Sequence, residues 1–136
     1  MSDALAHHVP VPGHPVLIVE DNEMNREMLS RRLRRKGYVV LEAADATAAL
    51  GIARAQPVGV ILMDMSLPEI DGWTATRMLK ADAATRPIPV MALTAHAMIQ
   101  DRDAALAAGC DDFETKPIDF ERLVAKINHL LAVRVR

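Results

Sequence analysis

The sequence predicts an α/β fold, a doubly wound parallel sheet of five strands in the order 2-1-3-4-5 with helices on both faces. Two observations carry that prediction. Short continuous apolar runs alternate with segments of helical periodicity, and parallel strands need helical crossovers, which are right-handed almost without exception. Four polar positions, Glu20-Asp21, Asp64, Thr94 and Lys116, each fall at the end of a separate run, and in an open parallel sheet such strand ends converge on one edge.

The elements follow in order. Residues 1–13 are rich in His, Pro and small residues without periodicity and are expected to be a flexible leader, with the folded unit spanning 14–133. Val16-Leu17-Ile18-Val19 is unbroken apolar chain, as a strand covered on both faces requires, and it stops at Glu20-Asp21-Asn22. Asn22 is suited to cap a helix carrying Met24, Met28, Leu29 and Leu33 at helical spacing. Arg31, Arg32, Arg34, Arg35 and Lys36 crowd its last turns before Gly37, where cations oppose the negative end of the helix dipole. Tyr38 to Leu41 reads as the second strand, Ala46 to Ala55 as a helix ended before Pro57, and Val58 to Met63 as a central strand. A loop through Leu67-Pro68-Glu69-Ile70-Asp71-Gly72 leads to a helix from about Trp73 to Ala81 and a strand from Ile88 to Leu93. A helix from about Ala97 to Ala108 ends at Gly109, a short strand lies near Asp112 to Glu114, and Asp119 caps a final helix through Leu131.

Composition narrows the function. At 136 residues, half hydrophobic and a quarter charged, the chain matches one soluble globular domain. A net charge of -2 offers no footprint for nucleic acid or an anionic membrane, so neither is an expected partner. No stretch reaches a membrane span and no secretion signal opens the chain, which predicts a cytoplasmic protein. Cys110, the only cysteine, excludes an internal disulfide and reads as a small buried hydrophobe beside Gly109. Trp73 and the methionines at 24, 28, 63, 78 and 91 read as packing residues. No histidine has metal-ligand spacing with another ligand.

The strand ends carry the chemistry. In the 2-1-3-4-5 order Asp21 and Asp64 are neighbours and repel each other unless a hard cation lies between them. Mg2+ suits such a place, since it takes a few carboxylate oxygens and keeps room for phosphate. Asp64 can then act as a nucleophile toward phosphorus, Lys116 supplies positive charge to the phosphoryl oxygens, and Thr94 supplies a hydroxyl donor. Each residue alone has a plainer reading: Glu20-Asp21 as a helix-capping acidic pair, Thr94 as a strand end, Lys116 as a surface lysine. Their common register favours the site. Two other classes compete: a Mg2+-dependent phosphohydrolase, which commonly has a second Asp two residues after its nucleophile where this chain has Ser66, and a flavin-binding electron carrier, whose first turn wants Gly, Ser and Thr where this chain has acids. Neither accounts for Lys116.

Val-Glu-Asp-Asn at 19–22, Leu-Met-Asp-Met-Ser-Leu-Pro-Glu-Ile-Asp-Gly at 62–72, Ala-Leu-Thr-Ala at 92–95 and Lys116-Pro117 resemble the receiver domains of two-component response regulators, in order and spacing, from Val16 to Leu131. The resemblance implies the flavodoxin-like fold of the CheY-like receivers. It implies that Asp64 is the phosphorylation site, that Asp21 ligates Mg2+ directly and Glu20 mostly through water, and that the main-chain carbonyl of Ser66 completes the protein's metal ligands. Lys116 would pair with Asp64 or its phosphate, and Pro117 would follow a cis peptide. Thr94 and Phe113 would be the switch pair, Phe lacking the hydroxyl that Tyr offers there, and Ser66 and His96 would flank the phosphate. The phosphodonor would be a histidine kinase or histidine phosphotransfer protein docking at the first helix, and the reader a downstream protein target. The chain would be a monomer or weak dimer, and a phosphoacceptor assisting its own phosphorylation and dephosphorylation rather than a turnover enzyme. After Pro117 only one helix is expected, which leaves no room for an output domain, so the chain would either pass its signal to another protein as a free-standing receiver or be a receiver cut from a larger protein such as a hybrid kinase.

Overall fold

The computed structural model describes residues 14–95 and 99–135, so the leader lies outside the described residues. Ten elements alternate: β1 (Val16–Val19), α1 (Glu23–Arg35), β2 (Val40–Ala43), α2 (Ala46–Ala55), β3 (Val60–Asp64), α3 (Gly72–Ala81), β4 (Val90–Thr94), α4 (Ile99–Ala108), β5 (Asp112–Thr115) and α5 (Phe120–Val135). The strands form one parallel sheet in the order β2-β1-β3-β4-β5, as the alternation predicted.

Unbroken apolar strands follow from a core on each face. Leu17, Val19, Ile61, Met63 and Ala92 face one core, closed by α2, α3 and α4 through Leu50, Ala75, Leu79 and Ala105. Val16, Ile18, Val60, Leu62, Met91 and Leu93 face the other, closed by α1 and α5 through Leu33, Leu123, Ile127 and Leu131. In the central strands β1, β3 and β4 neighbouring residues point to opposite faces and both faces are covered, so a polar residue has no place until the strand ends.

β2, β3 and β4 begin two residues later than their apolar runs, for local reasons. Gly37, at φ 95°, turns the chain out of α1, and the Tyr38 amide donates to the Leu33 carbonyl, so β2 starts at Val40 rather than Tyr38. Tyr38 is buried and its hydroxyl donates to Asn128 on α5. The Gly59 amide is held by the Pro15 carbonyl ahead of β3, and the Ile88 amide closes a turn onto Thr85 ahead of β4. At the far end α5 continues to Val135, past the expected Leu131.

The apolar stripe of α1 also departs from expectation. Met24 is 76% exposed and Met28 55%, while Ser30 and Leu33 are buried. Ser30 enters the interior because its hydroxyl donates to Glu42 on β2. Met78 is exposed too, whereas Met63 and Met91 pack as predicted and Cys110 is buried. Asn22 and Asp119 cap α1 and α5 as expected, and Asp45 and Asp71 cap α2 and α3 in the same way. Much of the basic run is engaged: Arg31 pairs with Glu27, Arg34 with Glu42, and the Arg32 guanidinium lies 4.1 Å from the Phe120 ring centroid.

Candidate functional site

Glu20, Asp21, Asp64, Ser66, Thr94 and Lys116 lie at the carboxyl edge of the sheet or in the loops just beyond it. Glu20 follows β1, its amide donating to the Ala43 carbonyl at the end of β2. Asp64 is the last residue of β3 and is 3% exposed. Thr94, equally buried, ends β4, and its carbonyl accepts the Lys116 amide just past β5 at 2.8 Å. Parallel registry thus carries residues far apart in sequence to one rim.

The side chains converge. Carboxylate oxygens of Glu20, Asp21 and Asp64 lie within 4.8 Å of one another, and the Lys116 ammonium is 3.3 Å from Asp64 Oδ2 and 3.5 Å from Glu20 Oε1. Asp64 Oδ1 accepts the Ser66 amide at 3.0 Å, and Glu20 Oε2 accepts the Asn22 amide at 3.1 Å. Burial pushes the Glu20 carboxyl above its ordinary value and Asp64 adds to that push, against the Asn22 amide and Lys116. Crowded acids with a single neighbouring ammonium form a strongly negative, partly buried cluster of hard oxygen donors, which fits Mg2+ by donor type. The Lys116-Pro117 peptide is cis.

The β3–α3 loop is built to keep α3 close. A Cβ at Gly72 would stand 2.5 Å from the Asp64 carbonyl oxygen and 2.7 Å from Met65 Cα, so only glycine permits the approach. Ser66 is exposed in the same loop. Phe113 stands on β5 opposite Ala92, half-buried against the core that α2, α3 and α4 close, and its carbonyl accepts Lys126 Nζ. His96 lies outside the described residues.

Arg26 is the residue that sequence reading passed over. Its Nη1 donates to the Glu20 carbonyl at 2.9 Å, and its Nε is 3.4 Å from Glu42 Oε1. A signal existed, since a cation in the opening turn of a helix works against the dipole. Nearby, Met28, Leu29, Arg32, Lys116, Pro117 and Ile118 line much of a hollow of about 350 Å3 that opens beside the acids.

An edge with this sheet order and acid cluster defines a receiver-type α/β domain, and the comparisons agree. The family model for the response regulator receiver domain matches residues 16–128, and the chain belongs to that family, a signalling module of two-component systems. It is 38% identical over 116 residues to the polar-differentiation response regulator DivK of Brucella ovis, covering 85% of this chain and 94% of that protein. Among solved structures, the receiver domain of the sensor histidine kinase PA1611 of Pseudomonas aeruginosa, with magnesium coordinated in its active-site cleft, is 38% identical with a TM-score of 0.81, covering 88% of this chain and 98% of that one. Chemotaxis protein CheY4 of Vibrio cholerae is 26% identical, with a TM-score of 0.81 and coverage of 86% and 98%. Among the described residues, no helix is long and apolar enough to cross a membrane.

Proposed function

We propose that this chain, as one receiver module over residues 14–133, accepts a phosphoryl group on Asp64 from the phosphohistidine of a histidine kinase or histidine phosphotransfer protein. The observation that carries this reading is the Lys116 ammonium 3.3 Å from Asp64 within a group of three mutually close carboxylates. Asp21, Asp64 and the main-chain carbonyl of Ser66 would hold Mg2+ directly, with Glu20 acting mostly through water. When bound, Mg2+ supplies positive charge against the acids and the incoming phosphoryl oxygens. An Asp64 carboxylate oxygen attacks phosphorus, the P–N bond to the donor imidazole breaks, and that nitrogen keeps the electron pair. Lys116 stabilises the charge that spreads over the phosphoryl oxygens.

The same residues turn the modification into a signal. Thr94 donates its hydroxyl to the phosphate and Phe113 moves inward with it, so the phosphorylated chain favours a second conformation that a protein target reads on the α4–β5–α5 side. Exposed Met24 and Met28 give the donor an apolar landing surface next to the acceptor. The protein acts in the cytoplasm as a monomer or weak dimer. It assists its own phosphorylation and dephosphorylation without turning over a substrate.

Intact-mass spectrometry after treatment with acetyl phosphate and Mg2+, or with fluoroberyllate, tests the reading. Wild type gains the adduct and Asp64→Asn does not. An unmodified wild type under both reagents overturns the proposal.

A further inference from the structure

We infer that Arg26 is a positioning residue for the metal site, setting where Asp21 stands by holding the peptide bond that precedes it. The inference rests on the metal-binding reading above. Asp21 is exposed, and its carboxylate has no hydrogen-bond or ion-pair partner among the described residues, so its own side chain does nothing to orient it. What locates it is the backbone on either side. The Glu20 amide is fixed to the Ala43 carbonyl at 3.1 Å, the Glu20 carbonyl to Arg26 Nη1 at 2.9 Å, and the Asn22 amide to Glu20 Oε2 at 3.1 Å. Of these three tethers, only the bond from Arg26 acts on the Glu20–Asp21 peptide group itself.

The guanidinium is in turn held from its other side. Arg26 Nε faces Glu42 Oε1 at 3.4 Å, while Glu42 Oε2 accepts Ser30 Oγ at 3.2 Å and Arg34 Nη2 at 3.3 Å. Glu42 belongs to β2, so the tether runs from the sheet edge through Arg26 to the loop that carries Asp21. The Arg26 side chain is 18% exposed, sheltered enough for these bonds to keep their strength. Its place in the first turn of α1 opposes the helix dipole, a local cost that the carbonyl contact explains.

Positioning and charge make opposite predictions. A guanidinium beside an acid cluster repels a divalent cation, so by charge alone Arg26→Met would tighten Mg2+ binding. Partners behind metal ligands instead weaken metal affinity when lost, by about 10- to 100-fold. The positioning role requires the second outcome.

The experiment is titration calorimetry with MgCl2 on the full chain, paired with metal-free thermal unfolding and the 13C chemical shift of the Glu20 carbonyl. Arg26→Met is expected to weaken Mg2+ binding about tenfold or more and to shift the Glu20 carbonyl signal before any metal is added. Arg26→Lys, which can reach one anchor and not both, recovers part of the loss. Arg31→Met removes a cation from the same helix that pairs with Glu27 and lies outside the Glu20–Arg26–Glu42 chain, and keeps wild-type affinity. Affinity equal to or tighter than wild type in Arg26→Met overturns the inference. Should that variant not fold, Glu42→Met, which removes the acceptor at the far anchor, weakens Mg2+ binding severalfold if the inference holds and leaves it unchanged if it does not. A wild type that takes up no Mg2+ would bring down the metal-site reading as well, a result distinct from any of these.

Discussion

The Lys116 ammonium and the Asp64 carboxylate form a 3.3 Å ion pair across the β3 and β5 ends of the sheet, and the same ammonium leans toward Glu20. One cation thus answers two of the three clustered acids. Lys116→Met removes the competitor for Asp64, so Mg2+ affinity measured by calorimetry should rise about three- to tenfold. Phosphorylation by acetyl phosphate should slow in the same variant, because its charge stabilisation is gone. Weaker Mg2+ binding would show that the ammonium supports the metal site rather than competing with it.

Gly72 lets α3 touch the acceptor strand. Its absent side chain leaves room for the Asp64 carbonyl, and a methyl group there meets backbone that cannot swing aside. Gly72→Ala should lower stability by about 1–3 kcal/mol in urea unfolding. An unchanged midpoint would mean that α3 moves away freely.

Glu69 sits at φ 62° in the β3–α3 loop, the left-handed region that L side chains avoid. Asn tolerates that conformation better. Glu69→Asn should therefore stabilise the fold by about 0.5–1 kcal/mol, read as a higher urea midpoint at unchanged slope.

Glu114 is a buried carboxylate on β5 that receives a forked pair of bonds from Arg122 and a contact from Lys126. Burial alone would raise its pKa, but Arg122 and Lys126 outweigh it and hold the carboxyl below its ordinary 4.5. A depressed acid adds stability that is fully present above the unfolded value and lost as pH falls through the folded one. Glu114→Gln should lower Tm at pH 7 by roughly 3–8 °C, and the gap to wild type should close as the pH drops below about 4.5. A gap that stays constant into acid would assign the loss to packing instead.

The architecture was legible because its signals are local. Period, polar stops and turn residues are properties of neighbouring positions, and the runs ending in Glu20-Asp21, Asp64, Thr94 and Lys116 needed only the parallel-sheet rule to meet at one edge. Boundaries were less legible. Tyr38 looks like strand, yet its amide completes the end of α1 and its ring lies buried near α5.

By itself, the sequence determined the fold class, the strand order's acidic edge and the residues that meet there, since apolar run length and polar punctuation suffice for those. Only the tertiary structure decided that Ser30 turns inward while Met24 and Met28 face solvent, that Arg26 grips the Glu20 carbonyl, and that Glu114 is buried between Arg122 and Lys126. Those outcomes depend on how a helix packs back against the strand or loop next to it, so partners 6 to 12 residues apart meet through the packing and not through the periodicity of either segment.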